Sequence, residues 1–450
     1  MNIDILIKKI EVRLNKQAFI FKDTTFLYKD LLMQINKWCA FINDNKIKSG
    51  NVVALIGNSS PDAIALVIAL IRNKNIIVPL TLLAKQHFSD FFSISHTQYI
   101  IDLSNPNQTI IKNKTNSPNK SKILKSLIKK QYPGLILFTS GSAGKPKAVT
   151  HNFDKLLGKF VNANKKYRTL CFLMFDHIAG IDTYFYSLYS GGTIIIPEIR
   201  NPGYICKLIE KNKIEVLPTS PTFLNLLLLS EEYDNYDLSS LKIITFGSEY
   251  MPKKLLSRLE KVFKNVNLIQ KYGMTELGSP PSKTKNEDSS WIKIDSDQFK
   301  IKIIDNILYV KTNTAMIGYL NAPSPFTEDG WFNTGDAVEI NGDYIKILGR
   351  KSDIINVGGE KVYPLEVENV ILEMDNVADA TVYGEKNPII GDIVCAKVSL
   401  QKKEDKKVFV NRLKKFCRSK IQGYKVPIRI IIMNEQLYND RFKKVRAIQK

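Results

Sequence analysis

The chain has 450 residues, 44% of them apolar and 24% charged, with a formal net charge of +21. That length exceeds what one hydrophobic core supports, so two or more domains of an ordinary globular protein are expected. No stretch approaches the roughly 18 uninterrupted apolar residues of a membrane span, and the nearest, residues 63–71, fits a buried helix ending at Arg72.

The first residues, Met1-Asn2-Ile3-Asp4, lack the basic-then-apolar pattern of a secretory leader. Cys39, Cys171, Cys206, Cys395 and Cys417 are odd in number and never closely paired, as expected of reduced thiols in a cytoplasmic protein rather than a disulfide framework or zinc site. The positive charge is mostly lysine spread among asparagine and isoleucine. It suggests compositional drift more than a binding face, and no nucleic-acid partner is expected. The densest basic run, 112–130, fits a solvated connector.

In chain order, 52–57 is a buried strand ending in glycine, 62–71 a helix and 76–80 the next strand. Residues 193–196, 216–217 and 243–247 follow as strands, each after a helical pattern. This alternation predicts an α/β fold of layered, largely parallel sheets. Residues 299–304, 307–311, 337–340 and 344–348 are short strands joined by turns, with Asn341-Gly342 marking a hairpin, so a small barrel-like part is expected there. A boundary near Gly349-Arg350-Lys351-Ser352 divides a domain of 1–350 from one of 351–450, the latter patterned β, α, β, α, β as a small α+β unit. No internal repeat is present.

Four motifs carry chemistry. The strand at 135–138 enters Thr139-Ser140-Gly141-Ser142-Ala143-Gly144-Lys145-Pro146-Lys147. Glycines admit close backbone approach, hydroxyls donate and lysines supply charge, so this loop suits a polyphosphate. It is not a Walker A loop, because Thr139 takes the glycine position and Pro146 follows Lys145. Tyr272-Gly273-Met274-Thr275-Glu276 offers an aromatic face for a purine, a hydroxyl for phosphate and a carboxylate for magnesium. In Phe332-Asn333-Thr334-Gly335-Asp336 the aspartate suits two ribose hydroxyls. The fourth runs from Gly349 to Lys361. Each of the first three alone is as compatible with an ordinary turn.

In this order and spacing the motifs resemble the adenylate-forming superfamily, which comprises acyl- and aryl-CoA synthetases, adenylation domains of peptide synthetases and beetle luciferases. The resemblance covers nearly the whole chain, including Gly318-Tyr319-Leu320-Asn321, Asp329-Gly330-Trp331 and Gly247-Ser248-Glu249. It implies that Thr139, Ser140, Gly141, Ser142, Gly144 and Lys147 cover the β- and γ-phosphates of ATP. Gly247, Ser248 and Tyr272 would frame the adenine, Thr275 contact the α-phosphate, Glu276 hold Mg2+, and Asp336 and Arg350 hold the ribose. Arg441-Phe442-Lys443-Lys444 is similar to the family's terminal Gly-Lys motif, which would make Lys444 the bridge between carboxylate and α-phosphate. Ser352 would be the hinge of a mobile C-terminal domain, and Gly359 would lie on the thiol-acceptor side. His177 in His-Ile-Ala-Gly180 resembles an acyl-site motif, with Phe223 and Leu277 as further pocket residues.

The implied reaction joins a carboxylic acid to ATP, releases pyrophosphate and passes the acyl group to a thiol, that of CoA or of a carrier protein's phosphopantetheine. Lysine and magnesium would offset the charge that builds as two anions meet. The resemblance fits a fatty or aryl acid and a place in fatty acid metabolism. The pocket residues offer no obvious cation for a second carboxylate, so a monocarboxylic acid with an apolar tail is expected. Asp176 leaves open a stand-alone amino-acid adenylation enzyme, though the spacing from His177 to Gly191-Gly192 is closer to CoA synthetases. Ala143, Ser352 and Lys443 depart from the pattern and leave room for a nucleotide-binding remnant without turnover.

Overall fold

The computed structural model describes residues 1–105, 110–112, 121–139, 146–247, 249, 251–280, 282–285, 288–294, 299–433, 437–439, 441–442 and 444. It is a mixed α/β fold of layered sheets followed by a smaller C-terminal unit. Two seven-stranded sheets form the bulk. The first runs, by position, Asn267–Lys271, Ile243–Gly247, Val216–Thr219, Arg168–Leu170, Thr193–Ile196, Gln17–Phe21 and Thr24–Leu27. All its neighbours are parallel except the closing hairpin. The second runs Gly318–Tyr319, Lys147–Asn152, Gly134–Thr139, Ile76–Leu80, Val52–Ile56, Tyr99–Asp102 and Ile110–Lys112.

Val52–Ile56 is buried along its whole length because both faces are covered. Val53 and Leu55 join one core cluster, and Val52, Ala54 and Ile56 another, as period-two alternation requires. Helix Pro61–Arg72 fills the layer between the two seven-stranded sheets. Ser60 caps it by accepting from the Ala63 amide at 3.1 Å, and Ala63 through Ile71 are all buried, which explains an apolar run with no polar face. Among the described residues no helix is long and apolar enough to cross a membrane. The basic run at 112–130 is not only connector: Lys122–Lys129 is an amphipathic helix that buries Leu124 and Leu127 against the second sheet, while 113–120 lie outside the described residues.

The third sheet is six-stranded and antiparallel, in the order Ser282–Lys285, Asp288–Ile294, Tyr344–Arg350, Phe332–Asn341, Ile307–Thr312 and Phe299–Ile304. The strand expected at 337–340 begins five residues earlier and carries the aspartate motif within it. Its turn-like Asn-Thr-Gly-Asp is accommodated because Gly335 takes a φ of +70° and the Thr334 hydroxyl satisfies the Asp336 amide at 3.0 Å.

Beyond Arg350 comes a five-stranded sheet with its own core. Its element order is β-β-α-β-β-α-β rather than the simpler alternation expected. Two hairpins, Ile355–Val357 with Glu360–Val362 and Val377–Asn387 with Gly391–Leu400, replace single strands. Their turns are short and polar, and the strand pattern runs almost unbroken through each.

Candidate active site

The parallel strands of the first sheet end at a common edge, the usual place for a ligand in such sheets. Strand Asn267–Lys271 leaves that edge directly into Tyr272-Gly273-Met274-Thr275-Glu276. The chain then turns back on itself, with the Leu277 and Gly278 amides donating to the Met274 carbonyl at 3.1 and 2.8 Å. A Cβ on Gly273 would lie 2.6 Å from the Ser279 hydroxyl, so the turn tolerates no side chain there.

His151, from strand Lys147–Asn152, pins this turn through Nε2 and the Thr275 carbonyl at 2.7 Å. Burial pushes the His151 imidazole down to about 4. Because the folded value lies below the ordinary 6.5, the unfolded chain binds the extra proton, and stability falls as pH drops through that window. The expected loss is about 2 kcal/mol between pH 7 and pH 5. Thermal melts of the wild type and His151→Gln check it. The variant has no proton to gain there and should show a flatter dependence from pH 7 to 5.

Asp336 and Arg350 face each other in register on adjacent antiparallel strands. That places Arg350 Nε 2.7 Å from Asp336 Oδ1, while the Tyr272 hydroxyl donates to Oδ2 at 2.8 Å. Burial pushes the Asp336 carboxyl above its ordinary range, against the guanidinium and the tyrosine hydroxyl, which favour the anion. Each carboxylate oxygen keeps a second lone pair for a ribose hydroxyl. Glu276 accepts from the Tyr319 hydroxyl at 2.7 Å, and the Lys147 ammonium lies over the Tyr319 ring at 5.3 Å. Thr139 and Lys147 pair across the two strands that bracket the expected phosphate loop. Asn321 clamps the loop's exit, accepting from the Ala148 amide at 2.9 Å and donating to the Pro146 carbonyl at 2.8 Å.

Several of these groups border one cavity of about 1960 Å³. Thr139, Lys147, Gly247, Thr275, Glu276, Arg350 and Ser352 are in its wall, and so is His177. Tyr272 and Asp336 stand behind that wall, joined to each other. His177 caps helix Ile178–Ser190 by accepting the Ala179 amide on Nδ1 at 3.2 Å, which leaves the proton of the neutral ring on Nε2. Ser140, Gly141, Ser142, Gly144 and Ser248 lie outside the described residues, as does Lys443.

Several expected pocket residues are elsewhere. Phe223 is fully buried and packs on Phe172 and Phe442, with centroids 4.4 and 5.5 Å away. Leu277 belongs to the core under the antiparallel sheet. Gly180 is held by packing, since a Cβ there would sit 1.9 Å from the Met174 carbonyl oxygen. Gly359 turns the hairpin between Val357 and Glu360, with nothing within 4 Å of where its Cβ would be.

The C-terminal segment docks back onto the larger unit. Phe442 accepts from the Ser220 hydroxyl at 2.9 Å through its carbonyl, and the Lys444 amide donates to Glu249 Oε1 at 2.5 Å. The Lys444 ammonium is not in the cavity wall: it pairs with Asp379 at 2.8 Å and donates to the Ala380 carbonyl at 2.9 Å. Burial disfavours that ammonium, but Asp379, Glu368 and Glu249 together hold it above the ordinary lysine value. Among the described tail residues the cation that borders the cavity is Arg441, whose Nη2 lies 2.6 Å from Asp176 Oδ2, which also accepts from Thr81 at 2.8 Å. The terminal motif singles out Lys444 instead. The motifs leave Tyr319 and Asn321 without roles, and nothing in the sequence marks His151.

A cavity this large exceeds what one small ligand needs and suits a nucleotide beside a second substrate. With the Asp336–Arg350 pair, Thr275, Glu276 and the preceding fold, it fits an adenylate-forming ligase, which activates a carboxylic acid with ATP and passes it to a thiol. The chain belongs to the AMP-binding enzyme family: the family's main model matches residues 7–296, and that of the AMP-binding enzyme C-terminal domain matches 366–444. It is 25% identical over 464 aligned positions to the 2-succinylbenzoate–CoA ligase of Enterococcus faecalis, covering 94% of this chain and 93% of that one. Its fold is similar to an anthranilate CoA ligase in complex with anthranoyl-AMP, with a TM-score of 0.84, 19% identity and coverage of 98% and 95%. It is also similar to the o-succinylbenzoate CoA synthetase of Bacillus subtilis bound to its acyl-adenylate, with a TM-score of 0.80, 22% identity and coverage of 98% and 96%.

Proposed function

We propose that the protein is an aryl-acid:CoA ligase acting through an acyl-adenylate in the cytoplasm. The observation that carries this is the lining of that large cavity. Polar Thr275, Glu276 and Arg350 are in its wall, and so are apolar Val216, Pro218, Ile243 and Ile269 of the parallel sheet. The first set suits the nucleotide, the second a flat apolar acid, and His177 lies in the same wall. The relatives' aromatic acids and their CoA acceptor support the same choice over a fatty acid or a carrier protein. The five cysteines are all free, which suits a reducing compartment.

ATP would be held at the ribose by Asp336 and Arg350 and along its phosphates by Thr139, Lys147, Thr275 and the loop at 140–145. The open space around Gly335, with nothing within 4 Å of its Cβ position, fits a sugar approaching Asp336 closely. Among the described residues no three histidine, cysteine, aspartate or glutamate side chains gather. Magnesium would therefore arrive with the phosphates and take Glu276 as its protein ligand, in keeping with its habit of one or two carboxylates. We place the division between the two domains at 350/351, with Ser352 in the connecting turn. Lys444 supplies the bridging charge after its pair with Asp379 opens, and Gly359 lies on the acceptor side.

The test is pyrophosphate release against a panel of aryl, fatty and amino acids, with and without CoA. Aryl acids should give both pyrophosphate and a CoA thioester. Faster release with an amino acid, or acyl transfer to a carrier protein but not to CoA, would overturn the reading.

A further inference from the structure

Several charged groups around the cavity have a partner within the protein. Asp176 has Arg441, Asp336 has Arg350, and Glu276 has the Tyr319 hydroxyl. Lys159, which also borders the cavity, is neutralised by Asp182 at 2.6 Å. Three lysines of the wall lack a carboxylate partner among the described residues: Lys165 is exposed, Lys147 lies over the Tyr319 ring, and Lys271 is the third. Among the described residues its ammonium makes no hydrogen bond or ion pair, although the side chain is only partly exposed. Burial alone draws its pKa below the ordinary lysine value, with no carboxylate opposing.

Its place on the sheet indicates what it faces. Lys271 is in register with Gly247, and two residues earlier Ile269 is in register with Thr245, which pairs in turn with Pro218. Alternation puts Lys271, Ile269, Thr245 and Pro218 on one face, and all of them border the cavity. Ile269 and Pro218 belong to the apolar set assigned above to the acid, and Lys271 shares their face. Gly247 contributes no side chain beside Lys271, and a Cβ there would strike the Lys271 carbonyl oxygen at 2.4 Å. A lysine is thus set into an otherwise apolar surface. Leaving a cation there without a counterion is costly, and a ligand's anionic group removes that cost.

Resting on the aryl-acid reading, we infer that Lys271 recognises a second carboxylate on the acid substrate, so that the enzyme selects dicarboxylic over monocarboxylic aryl acids. This replaces the expectation of a monocarboxylic acid, which rested on a pocket residue set that omitted Lys271.

Matched pairs test it: benzoate against phthalate, isophthalate and terephthalate, and 4-oxo-4-phenylbutanoate against 2-succinylbenzoate. Pyrophosphate release gives kcat/KM, and calorimetry gives acid binding independently of turnover. At least one dicarboxylate should exceed its monocarboxylate partner, and Lys271→Met should cost that dicarboxylate on the order of 30-fold or more. The monocarboxylate and the KM for ATP should change little, and Lys271→Arg should restore part of the preference. A uniform loss on all acids or a raised KM for ATP would make Lys271 a structural or phosphate-binding residue and overturn the inference. So would equal use of both members of every pair. If no acid yields pyrophosphate, the aryl-acid reading fails, and the calorimetric preference for dicarboxylates and its loss in Lys271→Met still decide this one.

Discussion

Lys444→Ala should lower acid-dependent pyrophosphate release by about 100- to 1000-fold, the usual effect of removing one preorganised charge from a transition state. Nucleotide binding should hardly change, because Asp336, Arg350, Thr139 and Thr275, proposed to hold the nucleotide, belong to the larger unit. Transfer of a preformed adenylate to CoA should survive better than adenylation. Arg441→Ala is the necessary companion, since Arg441 and not Lys444 borders the cavity in the arrangement described. Loss in Arg441→Ala with a normal rate in Lys444→Ala would transfer the bridging role three residues upstream. Asp379→Asn adds a further check, because it frees the lysine without removing it.

The second large effect is expected at Asp336. Alanine there removes the acceptor for both the Tyr272 hydroxyl and Arg350 Nε. The tyrosine hydroxyl is then buried without its partner, whereas the half-exposed guanidinium recovers some hydration, so the stability cost should be about 2 kcal/mol. AMP affinity should fall by about 100-fold, the value of two hydrogen bonds from ribose hydroxyls to a carboxylate. Asp336→Asn retains an acceptor for Tyr272 and should regain most of the stability but little of the affinity. Equilibrium dialysis with AMP and thermal melts separate the two effects. Unchanged AMP binding in Asp336→Ala would remove the residue from the ribose site.

Much of this architecture was legible because burial on both faces leaves an unmistakable mark. Val52–Ile56 and Ile243–Gly247 are apolar runs bounded by turn residues, and helix Pro61–Arg72 has no polar face to confuse the pattern. Strand Phe332–Asn341 was harder, because its first half is written in turn-forming residues whose backbone needs are met by Thr334 and Gly335. In the site, the motifs pointed to Thr275, Glu276, Asp336 and Arg350, which the structure places in or directly behind one cavity wall. Residues whose role depends on enclosure were not legible. Lys271 looks like any other of the chain's many lysines until the sheet places it in a cavity wall. His151 has no neighbour in sequence to signal that it holds a turn more than a hundred residues away. Arg441 and Lys444 are both tail cations, and only the docking of Phe442 distinguishes where each one goes.

Arg350 is the last residue of its strand, and the turn Lys351–Asp353 that follows leads directly into the C-terminal unit. The same side chain that closes on Asp336 is therefore adjacent to the turn that leads into the C-terminal unit. A sugar bound there would tether one side of any pivot, whereas an empty site would leave it slack. Substrate occupancy and domain orientation would then be mechanically coupled over a single peptide bond, and the enzyme would need no separate relay to sense which step of its cycle it had reached.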